Sequence, residues 1–153
     1  MQGIEPTATG WFADRDIFEM DIHDYSPSAT ARRFEAGTPP VPATYAAIAG
    51  IELMQEIGIA ETEAHVRGLN ALLHDGVEEL GGRVATPREP ERSGALVCIH
   101  STDVDALVAA LAAESVVTSS RDDKLRVSAH CYNTAEDVQA VLDVIAANRH
   151  LLA

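Results

Sequence analysis

The stretch that decides the fold runs from residue 125 to residue 137 and reads LRVSAHCYNTAED. Its first five residues, Leu125–Ala129, are typical of a short strand bounded by turn-forming residues. Thr134 and Asp137 then stand at the spacing of a capping box, which marks the start of a helix. This stretch therefore predicts a strand that leads through a short turn into the last helix of the chain.

Upstream of this stretch, apolar residues recur at helical spacing and predict three further helices. The first is expected over about Pro42–Ile57, with an apolar face that includes Ile48 and Ile51, and the second over about Glu61–Leu80. The third is expected to begin at Thr102, which forms a second capping-box pattern with Asp105. The expected stripes of the second, third and last helices are Val66, Leu69, Leu73, Val77 and Leu80; Val104, Leu107, Val108 and Leu111; and Val138, Val141, Leu142 and Ile145.

Short apolar runs between the helices predict the remaining strands. A buried strand is expected over Ala95–His100, a shorter one over Arg83–Thr86 and another over Val116–Ser119. The turn Arg121–Lys124 is short, so the strands on either side of it should pair antiparallel. The predicted fold is α+β: a small, mostly antiparallel sheet covered on one face by helices.

Residues 1–30 lack any sustained periodicity, because glycine, proline and short polar residues interrupt them. They nevertheless contain enough apolar side chains, such as Phe18 and Ile22, to pack against another part of a protein. We expect an irregular arm over residues 1–30, as the tail of a missing larger domain, and a small C-terminal domain over 31–153.

Composition limits the function classes. A formal net charge of −13 disfavours nucleic acid, whose phosphates would be repelled. No apolar run is long enough to span a membrane, and the first residues do not resemble a secretion signal. With only two cysteines, Cys98 and Cys131, the chain has no disulfide framework, which indicates a cytoplasmic protein. The six histidines show no metal-ligand spacing, so no metal site is expected.

A second motif, RFEAGTP over residues 33–39, lies about 90 residues before the first. Together, and in this order, the two motifs resemble the class V aminotransferase family, which includes cysteine desulfurases, kynureninase and isopenicillin N epimerase-like proteins. The resemblance covers nearly the whole chain but only the C-terminal part of a typical member. It implies a pyridoxal 5′-phosphate enzyme that acts on an amino-acid substrate as a homodimer.

The resemblance implies a role for Gly37 and Thr38 in cofactor binding. Thr38 is similar to the residue that reaches across the homodimer to the phosphate of the partner's cofactor. A Gly-Thr turn before a helix offers a hydroxyl and backbone N–H groups to an anion. The residues alone favour a simpler alternative, in which Thr38 only caps the proline-rich start of the helix. Trp11 and Phe12 are expected near the substrate pocket, and Arg33 near the dimer interface or a carboxylate of its own chain.

Arg126 resembles the arginine that binds the substrate α-carboxylate, since a guanidinium matches a carboxylate with two parallel donors. On a strand, Arg126, Ser128 and His130 point the same way and are expected to form the substrate side of the site. The alternative for Arg126 is an exposed ion pair with Asp122 or Asp123. The alternative for His130 is a structural role, which is more common for a histidine at a strand end.

The lysine that holds the cofactor in this family is not found at a matching position. Lys124 is the only lysine and falls in a predicted turn. We therefore expect no catalytic residue and no tightly bound cofactor in this chain alone. A stand-alone binding module with the same fold is a competing hypothesis. A cysteine desulfurase-like member is disfavoured because residues 117–125 contain no cysteine and Cys131 follows Arg126.

Overall fold

The computed structural model describes residues 4–153, which divide between Leu53 and Met54 into two compact units. The first unit contains two short 3₁₀ helices, Trp11–Ala13 and Ala31–Phe34, in an otherwise irregular segment. Arg32 ties this segment together, because its guanidinium donates to the backbone carbonyls of Asp14 and Arg15 at 2.9 and 2.8 Å. The irregular N-terminal arm predicted from the sequence is confirmed.

Helix α1 spans Val41–Ile57 and ends at Gly58, whose φ of 96° suits glycine. The predicted helix is confirmed within one residue. Its apolar face is not buried: none of its 17 residues is buried, and Ile48 and Ile51 are 46% and 58% exposed. A helix with an extensive apolar surface is normally buried against another part of the protein. None of the described residues buries the apolar side chains of α1 in this way.

The second unit contains one sheet and three helices. Its elements in chain order are α2 (Ile59–Glu79), β1 (Leu96–His100), α3 (Val104–Ala113), β2 (Ser119–Arg121), β3 (Lys124–Ser128) and α4 (Ala135–Ala147). The strand order is β1-β3-β2 and both pairings are antiparallel. The predicted α+β fold with a small antiparallel sheet is confirmed.

The core lies between one face of the sheet and the helices. It is formed by Leu69, Leu73 and Val77 of α2, Val97 and Ile99 of β1, Leu107 and Leu111 of α3, Leu125 of β3, and Val138, Val141, Val144 and Ile145 of α4. Leu125 pairs with Ile99 and Val127 with Val97 in the sheet register. Because strand side chains alternate between faces, Lys124, Arg126 and Ser128 lie on the face opposite the helices.

Three local predictions need correction. The cap of α3 is Asp103, which accepts from the N–H of Ala106 at 3.0 Å, so the Thr102–Asp105 capping box is wrong. Strand β2 begins at Ser119 rather than Val116, because only Asp122 and Asp123 form the turn and Asp122 adopts a φ of 54°. The predicted strand Arg83–Thr86 makes a single bridge, from Val84 to Ile99.

The predicted start of α4 is confirmed in detail. Thr134 accepts from the backbone N–H of Asp137, and the Asp137 carboxylate accepts from the backbone N–H of Thr134 at 2.9 Å. These bonds satisfy two donors that a helix start otherwise leaves free. The Asp137 carboxylate has a lowered pKa, mainly because of its bond from the Thr134 backbone. The capping box fixes the exit of the chain from β3 into α4.

Candidate functional site

Arg126 occupies the middle of the central strand β3. It lies across from Cys98 of β1 and from Ser119 of β2, on the face opposite the core. The side chain is partly buried. Its neighbours on both strands therefore hold its backbone, while its guanidinium can reach a ligand on the open side of the sheet.

One of the two acidic residues near Arg126, Asp123, is engaged elsewhere. Asp123 forms an ion pair with Lys124, and its second oxygen lies 3.4 Å from His100 Nδ1. The bond from Lys124 is the main reason that the pKa of the Asp123 carboxyl falls to about 2. Among residues 4–153, Arg126 makes no salt bridge to Asp122 or Asp123. The exposed ion pair between Arg126 and Asp122 or Asp123, which the sequence left open as an alternative, is therefore not observed in the described chain.

Ser128 and His130 follow Arg126 but line different cavities. Ser128 is exposed at the end of β3 and borders a cavity of about 440 Å³ with Tyr132. His130 borders a separate cavity of about 330 Å³ with Ala129 and residues of α2. The three predicted substrate residues, Arg126, Ser128 and His130, thus occupy every second position along the chain. The structure does not bring them together in one cavity of the second unit.

Gly37 and Thr38 lie in the first unit, beside Trp11. A Cβ atom at Gly37 would be 3.6 Å from Trp11 Nε1, and one at Gly10 would overlap the carbonyl oxygen of Ala36. The glycine at position 10 thus lets the Gly10-Trp11 backbone pack closely against the turn that carries Thr38.

Thr38 is exposed, and within the described chain its hydroxyl makes no capping bond to α1. The first turn of α1 is closed instead by the backbone N–H of Thr44, which donates to the carbonyl of Pro40 at 3.0 Å. Pro39, Pro40 and Pro42 have no N–H to offer. Anion binding at this helix start would therefore depend on the Thr38 hydroxyl and the backbone N–H groups of Gly37 and Thr38.

Lys124 is held in an ion pair at the start of β3. Its ammonium pairs with Asp123, and this bond raises the pKa of Lys124 above its usual range. The sequence placed Lys124 in a turn, whereas the structure makes it the first residue of β3, directly after Asp122 and Asp123. A lysine that attacks an aldehyde must be neutral, and this ion pair favours the charged form.

Other residues that the sequence suggested have simpler partners. Arg33 Nε donates to the carbonyl of Thr30 at 3.3 Å, which is a backbone contact and not a carboxylate. Trp11 and Phe12 pack edge to face, with ring centroids 4.5 Å apart, and Trp11 remains 44% exposed. Sequence reasoning did not connect Cys98 with Arg126. Only the strand register shows that Cys98 lies across from Arg126.

The family follows from a direct comparison. The model of the aminotransferase class-V family matches residues 12–141, which is most of the chain and includes both motifs. This chain belongs to the class V aminotransferase family. The resemblance seen in the two motifs is therefore confirmed, and the position of Arg126 can be considered within that family.

Two curated relatives show the extent of the match. An uncharacterized aminotransferase, YcbU, of Bacillus subtilis is 29% identical over 144 residues, covering 94% of this chain and 37% of that protein. A cysteine desulfurase of Haloferax volcanii is 29% identical over 136 residues, covering 79% of this chain and 32% of that protein. The chain thus spans about a third of the length of these class V relatives.

Solved structures confirm the fold. The apo cysteine desulfurase of Thermococcus onnurineus superposes with a TM-score of 0.81 at 24% identity, over 94% of this chain and 39% of that one. The cysteine desulfurase CsdA of Escherichia coli gives 0.78 at 21% identity, over 97% of this chain and 40% of that one. At these identities the likeness extends to the fold alone.

The described residues contain neither a membrane-spanning helix nor a metal-binding cluster. None of the helices in residues 4–153 has the length and apolar character needed to cross a membrane. In the same part of the chain, no three histidine, cysteine or acidic side chains come together in a way that could hold a metal ion.

Proposed function

We propose that this chain is the C-terminal part of a pyridoxal 5′-phosphate-dependent class V enzyme that acts on an amino acid, and that Arg126 binds the substrate α-carboxylate. The observation that carries the proposal is that, among residues 4–153, the guanidinium of Arg126 forms no salt bridge, while the neighbouring Asp123 binds Lys124 and His100. An arginine held by its strand and left without an acid is ready to bind a carboxylate from outside.

The chemistry of the guanidinium suits this role. Two parallel N–H donors bind both oxygens of a carboxylate and fix its orientation, which an ammonium cannot do. Ser128 and His130 extend the polar side beyond Arg126 along the chain, and we propose that they contact the same substrate. The contribution of these residues is to hold the substrate in one orientation relative to the reacting centre.

Gly37 and Thr38 are proposed to bind the cofactor phosphate of a partner subunit in a homodimer. The Thr38 hydroxyl is exposed and free of capping bonds in the described chain, and Trp11 lies beside Gly37. These residues fit an anion, because hydroxyl and backbone N–H donors are the usual ligands of phosphate. When bound, pyridoxal 5′-phosphate supplies the electron sink for carbanion chemistry at the substrate α-carbon.

The remaining expectations follow from the missing lysine. With Lys124 paired to Asp123, this chain is proposed to be inactive alone and to need a larger lysine-bearing domain. Residues 1–30 are proposed to be the tail of that domain and residues 31–153 the small domain. A cytoplasmic location fits the two free thiols, Cys98 and Cys131.

A second candidate is a cysteine desulfurase-like member of the family. Three of the curated relatives carry that name, including those of Haloferax volcanii and Pyrococcus abyssi. Against the desulfurase candidate, the residues that precede Arg126, 117–125, contain no cysteine. This absence favours an aminotransferase, lyase or epimerase over a desulfurase.

The chain itself allows a direct test of the Arg126 proposal. Arginine side-chain Nε–H signals are followed by NMR while L-alanine is added to the millimolar range, with R126K as the variant that removes the signal. We expect the Arg126 signal to shift and those of Arg67 and Arg88, which already hold carboxylates, to stay in place. Equal shifts at all arginines, or none at Arg126, would contradict the proposal.

A chimaera tests the same idea in an enzyme. The C-terminal part of the Bacillus subtilis relative is replaced by this chain, and cofactor loading is measured by visible absorption. R126Q should lower kcat/KM for the amino acid by roughly 10- to 100-fold, as expected for losing a charged hydrogen bond, with cofactor loading unchanged. K124A should leave both unchanged. Loss of cofactor binding in K124A would assign the lysine role to this chain after all.

A further inference from the structure

The turn between β3 and α4 brings a thiol and an imidazole together. His130 Nδ1 lies 3.1 Å from Cys131 Sγ, which is within hydrogen-bonding distance for sulfur. His130 is exposed and Cys131 is partly buried, so a small reagent can reach the pair. The function proposed above uses His130 only as a polar contact and gives Cys131 no role.

Contacts on both sides hold this pair in position. The His130 ring stacks on Tyr132, with centroids 5.4 Å apart and planes inclined by 27°. The backbone N–H of His130 donates to Asn133 Oδ1 at 2.9 Å. The carbonyl oxygen of Asn133 lies 2.8 Å from His65 Nε2 of α2. These contacts restrict the ring and the backbone in positions that keep the imidazole beside the thiol.

We propose that Cys131 and His130 form a nucleophilic thiol site that undergoes exchange with small, uncharged disulfides. His130 Nδ1 accepts the thiol proton, and the Cys131 thiolate attacks one sulfur of the disulfide. A new S–S bond forms to Cys131, the original S–S bond breaks, and the departing thiolate takes a proton from the imidazolium or from water. The step needs only the disulfide itself as oxidant.

The surroundings indicate the kind of disulfide. His130 borders the cavity of about 330 Å³, whose walls include the apolar side chains of Ile59, Val66 and Ala95. Cys131 does not line this cavity, so the cavity can hold an apolar substituent only beside the imidazole of His130. The net charge of −13 disfavours anionic reagents. An uncharged aromatic or aliphatic disulfide fits both features.

The charged groups around the pair are already compensated. On α2, Arg67 forms an ion pair with Glu63 at 2.5 Å, and both line the same cavity as His130. On α4, the Asp137 carboxylate accepts from Asn133 Nδ2 at 3.1 Å and from the backbone of Thr134. These charged groups are therefore engaged with other partners and not with the thiol or the imidazole.

Cys98 provides a control within the same molecule. It lies on the sheet across from Arg126, and in the described chain its thiol has no imidazole within hydrogen-bonding distance. The histidine two residues along the strand, His100, has its Nδ1 turned to Asp123 at 3.4 Å. The Cys98 thiol also lies near the cations of Lys124 and Arg126, so the effect of His130 is judged on Cys131 itself, in the C98S background.

The test is the rate of reaction with 4,4′-dithiodipyridine, a neutral aromatic disulfide that releases an absorbing thione. C98S reports the rate of Cys131 and C131S that of Cys98. We expect Cys131 to react about tenfold faster at pH 7, and C98S/H130Q to lose most of this advantage. The matched variant C98S/H100Q should react like C98S.

The pH profile separates a base from a merely structural residue. A free thiol is mostly ionised at about pH 9.5, so there the rates with and without His130 should converge. If H130Q has no effect at pH 7, or slows the reaction equally at both values, His130 is not the base and the proposal fails. H130N serves if H130Q unfolds, as judged by circular dichroism. This outcome is independent of the Arg126 experiments.

Discussion

Arg126 of β3 and Cys98 of β1 are direct partners across the antiparallel pair, on the face of the sheet opposite the core. Side chains so placed have Cβ atoms about 5 Å apart. A ligand can approach Arg126 from this face of the sheet. On the other face, the fully buried Leu125 holds the strand against the core.

Because Arg126 has no ion-pair partner among the described residues, its charge should contribute little to stability. R126Q is expected to change the free energy of unfolding by less than about 0.5 kcal/mol, as measured by urea denaturation. The matched variant L125A, one residue earlier on the buried face, should cost about 2–5 kcal/mol. A loss above about 1.5 kcal/mol in R126Q would show that the guanidinium serves the fold instead.

Two glycines of α2 should respond in opposite directions to alanine. A Cβ at Gly76 would lie 2.4 Å from Leu142 Cδ1 of α4, whereas none of the described atoms is within 4 Å of one at Gly68. G68A should stabilise the chain by roughly 0.5–1 kcal/mol through helix propensity. G76A should be destabilising, since overpacking costs about 1–3 kcal/mol. Thermal unfolding of the two variants gives the signs, and stabilisation by G76A would contradict the close packing of α2 on α4.

Acidification should weaken the fold through His74. This histidine is 4% exposed, and its pKa is lowered, first by burial and then by the nearby Arg88. The unfolded chain binds a proton near pH 6.5 while the folded chain resists it, so stability is greatest above that value and falls as the pH drops below it. The variant H74Q should make the free energy of unfolding less dependent on pH between about pH 7.5 and 5. H150Q, at an exposed histidine, should keep the slope.

The capping box of α4 should contribute measurably to stability. T134A removes the acceptor for the Asp137 backbone N–H and should cost about 1 kcal/mol. T134S retains the hydroxyl and should lose only a small part of this. Chemical denaturation of the two variants provides the comparison. Equal losses would mean that the methyl group, and not the hydrogen bond, carries the effect.

The sequence was most informative where structure is decided locally. The Thr134–Asp137 box and the α2 stripe depend on residues within a few positions of each other, so α4 and α2 were predicted nearly to their ends. The same reasoning was wrong at α3, because Thr102 and Asp103 are both capable caps and only the chain's approach from β1 selects Asp103. The offset of β2 likewise follows from Asp122 adopting a positive φ, a conformation that spacing does not reveal.

The candidate site was predictable in its residue types but not in its arrangement. The period of two correctly placed Arg126 on the face opposite Leu125. It could not show that Asp123 would bind Lys124 and His100, since that choice depends on the two-residue turn. The pairing of His130 with Cys131 was also missed, because neighbours on a strand point to opposite faces and only the turn at residue 131 brings them together.

The outer strand β2 has a consequence for behaviour at high concentration. It contains only Ser119, Ser120 and Arg121, all exposed, and the acidic turn Asp122-Asp123 follows at once. A polar strand of three residues offers few free backbone groups, and it carries charge at its end. Both features disfavour pairing with a strand of a neighbouring molecule. With β1 partly shielded by the bridge at Val84, the sheet is protected at both margins from growth into fibrils.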